Sequence, residues 1–98
     1  MLKPTIFREY DIRGIADAEL LSTDIEVLGR AIGTYLQRAS GRQVNVGRDC
    51  RLSSPRLSEA IIKGLLASGC DVTDIGTVPT PLLYYSVFRL KATGAVMI

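Results

Sequence analysis

Histidine and tryptophan are absent from this 98-residue sequence, and only two cysteines are present. The lack of histidine removes the commonest transition-metal ligand. Cys50 and Cys70 are too far apart for a CxxC redox pair or a zinc knuckle, which favours a reduced compartment over secretion. No apolar run is long enough to cross a bilayer, and the opening residues lack the apolar core of a signal peptide. We therefore expect a soluble, cytoplasmic protein without a membrane span.

An excess of one charge sign is also missing. The 12 basic and 10 acidic residues give a net charge of +2 and are scattered rather than clustered. This distribution predicts neither a nucleic-acid partner nor an anionic membrane surface, so any anion binding must be local. With 47% hydrophobic and 22% charged residues, residues 1–98 are predicted to form one small globular domain.

A first helix is predicted from both of its ends and from its apolar face. Thr23 and Glu26 have the spacing of a capping box, which places the start of the helix at the threonine. Gly41 is expected to end it in a left-handed conformation. The predicted buried face has apolar residues at three- and four-residue steps: Ile25, Leu28, Ile32, Tyr35 and Leu36.

Two further helices begin with a hydroxyl residue followed by proline. Ser54 is predicted to cap the second helix, with Pro55 as its first residue and Gly69 at its end. Thr80 and Pro81 repeat this arrangement in the third, whose apolar residues lie on nearly every side and predict deep burial. The buried stripe of the second helix is expected to contain Leu57, Ile61 and Leu65.

Short strand-like segments separate the helices. They are Val44 to Gly47, Asp71 to Gly76 and the closing "GAVMI", and Phe7 to Gly14, "FREYDIRG", forms a fourth. The order β-α-β-α-β-α-β predicts a three-layer α/β/α fold with a mixed, largely parallel four-stranded sheet. The uncharged "GAVMI" predicts a strand buried on both faces. Ligands bind beyond the carboxyl ends of such strands, so we expect a fragment whose parent has functional residues beyond Ile98.

The loop "GRDCRLSSP" permits two interpretations. In one, Arg48 and Arg51 supply cations, and the hydroxyls and free amides of the following helix start help to hold a phosphate. In the other, Asp49 pairs with a neighbouring arginine and Ser54 caps the helix. The residues alone favour the second interpretation. Neither a GxGxxG nor a GxxxxGK[ST] pattern is present, so nucleotide binding is not indicated.

Two residues of "FREYDIRG" are candidates for ligand binding. Tyr10 and Arg13 are three positions apart, so a turn after a strand could direct both into one cleft. The phenol would form hydrogen bonds and the guanidinium would hold a phosphoryl group through two N–H donors. Asp11 could orient Arg13 or neutralise it. On the residues alone, a solvated edge strand with surface ion pairs is the favoured alternative.

Four segments taken together resemble a known family. In chain order, "IFREYDIRG", "VGRDCRLSSPRL", "GCDVTDIGTVPTPLLYY" and "TGAVMI" resemble the first domain of the α-D-phosphohexomutases of the bacterial phosphomannomutase/phosphoglucomutase type. The resemblance covers essentially the whole chain. It implies a parent enzyme that interconverts hexose 6-phosphate and hexose 1-phosphate through an enzyme phosphoserine and a bisphosphorylated sugar intermediate.

The resemblance also implies what the parent contributes beyond this chain. The family's serine loop would follow "GAVMI", its Mg²⁺ ligands belong to a second domain, and a hexose bisphosphate acts as activator. The remaining domains of the parent and a phosphorylated hexose are the implied partners. We therefore expect the 98-residue chain to be inactive by itself.

Residue roles follow from the same resemblance. Arg13 would support proton transfer or phosphoryl charge, and Tyr10 would contact the sugar. Arg48 and Arg51 are expected in a supporting phosphate shell or in ion pairs. The alternative function is a non-catalytic α/β module that binds a phosphorylated ligand or a partner protein.

Overall fold

Three helices alternate with three strands in the computed structural model, which describes Pro4, residues 20–39 and residues 41–98. The strand predicted at Phe7 to Gly14 lies outside the described residues. In chain order the elements are α1 (Ser22–Ala39), β1 (Gln43–Arg48), α2 (Ser54–Ala67), β2 (Asp71–Thr77), α3 (Thr80–Arg89) and β3 (Gly94–Met97).

The three strands form one parallel sheet in the order β2-β1-β3. Strand β1 is therefore central, with Val44 paired to Val72 of β2 on one side and to Gly94 of β3 on the other. Each crossover between parallel strands contains a helix, as parallel pairing requires. The predicted parallel arrangement is confirmed for these strands.

Helices cover both faces of β1, which confirms the three-layer α/β/α architecture. Successive side chains of a strand point to opposite faces. Val44 and Val46 lie in the core formed with α1 and α2. Asn45, between them, donates a hydrogen bond from Nδ2 to Ser86 Oγ of α3 at 2.9 Å. The sheet therefore separates a mainly aliphatic layer from a layer made by α3.

Helices α1 and α2 approach each other closely at two glycines. A Cβ on Gly29 would lie 2.6 Å from the carbonyl oxygen of Ile61, and a Cβ on Gly64 would overlap the carbonyl oxygen of Glu26. These obstacles are backbone atoms, which cannot rotate away as side chains can. The missing side chains thus allow α1 to pack directly on α2, and both helices then cover the same face of the sheet.

The helices begin slightly earlier than predicted. Helix α2 has Ser53 rather than Ser54 at its N-cap, and α3 has Pro79 rather than Thr80. Helix α1 begins at Ser22 and its first backbone hydrogen bond runs from Ile25 N–H to Leu21 O, so Thr23 lies inside the helix and the predicted cap is wrong by two residues. Pro remains acceptable at the second helical position because the first four N–H groups of a helix have no partner within it. The predicted stop of α1 is confirmed, since Gly41 has a φ of 137° and its N–H donates to Leu36 O at 3.0 Å.

The burial of α2 was predicted correctly, whereas that of Tyr35 was not. Leu57, Ile61 and Leu65 are all buried. Tyr35 is 70% exposed. Leu28 lies seven residues earlier, only about 20° away around α1, and it is buried. Tyr35 is therefore exposed although it lies near the predicted face, two turns closer to the end of the helix.

Two segments are more exposed than their composition predicts. Helix α3 buries only Leu83 and Ser86, so the prediction of deep burial is wrong. Strand β3 is intermediate in exposure along its whole length, so the prediction of a strand buried on both faces is also wrong. The reason is positional, because β3 lies at an edge of the described sheet and α3 has a sheet on one side only.

The glycine contact gives a test of the fold. Gly64→Ala should lower the free energy of unfolding by about 1 to 3 kcal/mol because the new methyl group overlaps the backbone of α1. This loss should appear even though alanine favours helix formation by about 1 kcal/mol over glycine. Urea denaturation followed by circular dichroism measures the change.

Glu59→Ala is the matched control, since it also adds an alanine to α2 but at an exposed position. Its free energy of unfolding should stay within about 0.5 kcal/mol of the unsubstituted chain. If Gly64→Ala were as stable as this control, the close approach of the two helices would be refuted.

Candidate functional site

The carboxyl ends of the three strands meet at one edge of the sheet, where α2 and α3 also begin. Backbone hydrogen bonds join the segments that leave this edge. Asp49 N–H donates to Ile98 O at 3.2 Å, and Val78 N–H donates to Arg48 O at 2.9 Å. The segment after β1 is therefore held on both sides. In open α/β sheets, this edge is the usual position of a ligand site.

Asp49 organises the loop between β1 and α2. Its carboxylate accepts a short hydrogen bond from the hydroxyl of Ser54 and a 3.1 Å hydrogen bond from the backbone N–H of Arg51. It also forms an ion pair with Arg51 Nε at 3.2 Å. Two residues of the predicted loop, Arg51 and Ser54, thus contact this one carboxylate.

This arrangement lowers the pKa of Asp49 below its ordinary value of 3.8. The hydrogen bond from Ser54 is the largest cause, followed by the backbone N–H of Arg51; partial desolvation opposes both, and the Arg51 charge adds a smaller lowering. Asp49 is therefore ionised at neutral pH. A fixed negative charge therefore lies beside the start of α2.

The structure thus supports the second interpretation of "GRDCRLSSP", with one change. Asp49 does pair with a neighbouring arginine. Ser54, however, directs its hydroxyl to Asp49 and is the first residue of α2, while Ser53 at the N-cap makes no side-chain capping bond. The serine fixes the loop to the helix rather than capping free amides.

Arg48 and Arg51 both lie in this region, each beside its own carboxylate. Arg51 is highly exposed, with 81% of its side chain accessible. Arg48 is less exposed and places Nη1 at 3.3 and 3.4 Å from the two carboxylate oxygens of Asp74 on β2. Its Nε is buried and has no hydrogen-bond partner within the part of the chain that the structure describes. Arg48 therefore keeps one unsatisfied donor.

Asp74 is a residue of this edge that the sequence reasoning did not identify. Besides holding Arg48, it accepts a 2.9 Å hydrogen bond from the N–H of Gly76, whose φ is 82°. This local turn accompanies the shift in β1–β2 register between Val46 and Gly47. The only signal in the sequence was a charged residue inside the strand-like segment "DVTDIG".

The other predicted site residues cannot be placed in this geometry. Tyr10 and Arg13 lie outside the described residues. Among residues 20–39 and 41–98, no three acidic, cysteine or histidine side chains gather as a metal site would require. None of the helices in those ranges is long and apolar enough to span a membrane.

The loop geometry predicts how Asp49 titrates. Ser54→Ala should raise the pKa of Asp49 toward its ordinary value, because it removes the largest cause of the lowering. Ser53→Ala, the matched control, should leave this pKa unchanged, since that hydroxyl makes no capping bond. An NMR titration of the Asp49 carboxyl carbon measures both.

The same lowering has a defined effect on stability. A carboxyl with a lowered pKa in the folded state stabilises the fold above its unfolded-state pKa of about 3.9, and this contribution is lost as the pH falls through the folded pKa. The stability difference between the unsubstituted chain and Ser54→Ala should therefore shrink below about pH 4. A pH-independent difference would refute the role of the ionised carboxylate.

Comparisons with known proteins agree on one family. Residues 4–98 match the family model described as phosphoglucomutase/phosphomannomutase, alpha/beta/alpha domain I. A phosphomannomutase/phosphoglucomutase from Pseudomonas putida is 47% identical over 97 residues, which is 99% of this chain and 21% of that protein. A phosphoglucosamine mutase from Symbiobacterium thermophilum is 42% identical over 98 residues, covering 97% of this chain and 22% of that protein.

A solved structure shows the same fold. The crystal structure of a phosphoglucomutase/phosphomannomutase family protein from Burkholderia thailandensis superposes with a TM-score of 0.85 at 42% sequence identity. The match covers 89% of this chain and 19% of that one. The chain thus spans about a fifth of the length of the curated relatives that it matches. With a family model covering nearly its whole length, the chain belongs to the phosphoglucomutase/phosphomannomutase family and corresponds to its α/β/α domain I.

Proposed function

We propose that this chain is part of a phosphohexomutase that interconverts hexose 6-phosphate and hexose 1-phosphate. The observation that carries the proposal is the domain I match over residues 4–98. The relatives' names, phosphomannomutase, phosphoglucomutase and phosphoglucosamine mutase, all describe transfer within a phosphorylated hexose. The proposed substrate class is therefore a phosphorylated hexose. The parent protein carries out the reaction and this chain contributes one part of the site.

The proposed reaction uses a phosphoserine supplied by the parent. The phosphoserine gives its phosphoryl group to one hydroxyl of the sugar, forming a hexose bisphosphate. The sugar then returns its other phosphoryl group to the serine. Phosphoryl transfer depends mainly on positioning and on stabilising charge at the phosphoryl oxygens. We propose Arg13 for that charge or for proton transfer, and Tyr10 for contact with the sugar.

The described residues support an indirect role for the loop after β1. Asp49 and Asp74 already neutralise Arg51 and Arg48, so neither cation is fully available to a phosphate. Arg48 Nε has no hydrogen-bond partner among residues 20–39 and 41–98, so Arg48 is the better candidate for the supporting shell. We propose that this loop positions neighbouring segments and that direct phosphate contact by Arg51 is secondary.

Magnesium and the bisphosphate activator enter the proposal only through the parent. The described residues offer no cluster of three acidic, cysteine or histidine side chains, so they do not fit a Mg²⁺ site. In the proposed enzyme, residues outside this chain would hold the ion.

The first test is an assay of the full-length gene product. We expect it to convert glucose 1-phosphate or mannose 1-phosphate to the corresponding 6-phosphate, whereas the 98-residue chain alone should show no turnover. A coupled dehydrogenase assay measures the product. A full-length protein inactive on every hexose phosphate would overturn the proposal and favour a non-catalytic module that binds a phosphorylated ligand or a partner protein.

The second test concerns Arg13. In the full-length protein, Arg13→Ala should remove about 2 to 4 kcal/mol of transition-state stabilisation, as does the loss of one preorganised donor. Turnover should therefore fall roughly 30- to 1,000-fold. Arg8→Ala is the control, because we expect Arg8 to be a structural or solvent-facing charge. Equal turnover in the two variants would remove Arg13 from the mechanism.

A further inference from the structure

Helix α3 exposes an apolar surface that the proposed reaction does not explain. We define the α3 outer face by its three exposed aromatic side chains, Tyr84, Tyr85 and Phe88. Tyr84, Tyr85 and Phe88 are 64%, 60% and 81% exposed, and they lie opposite the buried Leu83 and Ser86. At about 200 Å² for a whole aromatic side chain, these three alone expose roughly 400 Å².

A patch of this size on one helix differs from isolated surface apolar residues. Single exposed apolar residues are normal, but the largest patch on a typical monomer measures about 300 to 600 Å² and is often an interaction site. The other helices have outer faces that suit water, with Arg30 and Arg38 on α1 and Glu59 and Lys63 on α2. Helix α3 has one charged residue, Arg89, at its end.

The neighbouring edge strand of the described sheet is apolar as well. Helix α3 packs on β1 and β3, and β3 is an edge strand of the described sheet. Edge strands of natural proteins are usually protected from pairing with other chains by charged side chains, proline or β-bulges. Strand β3, with the sequence GAVM, contains no charged residue and no proline. The opposite edge, β2, has Asp71 and Asp74 paired with Arg42 and Arg48. Of the two edges that the described strands form, the one with β3 and α3 is therefore the apolar one.

We infer that the α3 outer face is an internal interface of the parent protein, covered by polypeptide beyond these 98 residues. The relatives that match almost all of this chain are about five times longer, so most of each protein lies outside the matched part. A tethered segment is present at an effective concentration of about millimolar, far above that of a second molecule in the cell. The attached polypeptide is therefore the favoured occupant over a second copy.

Hydroxyl-radical footprinting of the full-length protein tests this inference. Labelling of Tyr84 and Tyr85 should be at least about fivefold slower in the native protein than in the same protein unfolded in urea. If the face were open, exposures of 60% and 64% would slow labelling by less than about twofold. Tyr35, which is 70% exposed on α1, is the matched tyrosine control and should show little protection.

Dilution distinguishes the two occupants. If attached polypeptide covers the face, the protection of Tyr84 and Tyr85 should stay the same when the protein is diluted a hundredfold. Sedimentation should show that the protein is monomeric in the most dilute sample. Protection that disappears on dilution would assign the face to a second copy and overturn the inference, as would fast labelling at every concentration. The readout does not require mutase activity, so failure of the proposed function and failure of this interface are separable.

Discussion

Strand β1 must bury both of its faces with only six residues, and the rest of the domain is arranged to satisfy this requirement. Val44 and Val46 fill the aliphatic side. Asn45 faces the other side and is almost fully buried, so its amide needs a partner. Ser86 Oγ accepts that hydrogen bond and donates its own to Leu83 O at 2.6 Å.

This buried link fixes the rotation of α3. Because Leu83 and Ser86 must face the sheet, the tyrosines and Phe88 must face away from it. Rotating α3 to bury its aromatic residues would leave Asn45 without its partner, at a cost of about 1 to 3 kcal/mol. The exposed aromatic face is therefore a consequence of a polar contact in the core.

The opposite layer depends on shape rather than on polar pairing. At the glycine crossing, α1 reaches the backbone of α2, and the two helices then share the core side chains of β1. A second contact joins their far ends, where Gln37 Nε2 donates to Ser68 O at 2.6 Å. Close approach and this hydrogen bond make the two helices one rigid cover for the sheet.

Local signals in the sequence predicted the elements well, because proline, hydroxyl and glycine residues act within one turn of the chain. The N-caps of α2 and α3 were predicted to within one residue, and the three residues predicted to be buried on α2 are all buried. Predictions that depended on distant neighbours failed. The burial of α3 and β3 depends on their position in the sheet order, and the pairing of Arg48 with Asp74 depends on the register between strands. Tyr10 and Arg13 remain predictions.

The charges at the carboxyl edge also decide which arginine is suited to bind a phosphoryl group. A cation that already has a carboxylate within 3.4 Å offers a phosphate less net attraction, and an exposed pair contributes little in either direction. Arg48 and Arg51 are both in this condition, and Asp49 adds a negative charge beside the start of α2. An anion at this edge therefore needs a further cation from another segment. Arg13, which lies outside the described residues, is the cation that we propose for this role, while the contacts of Asp49 fix the conformation of the loop after β1.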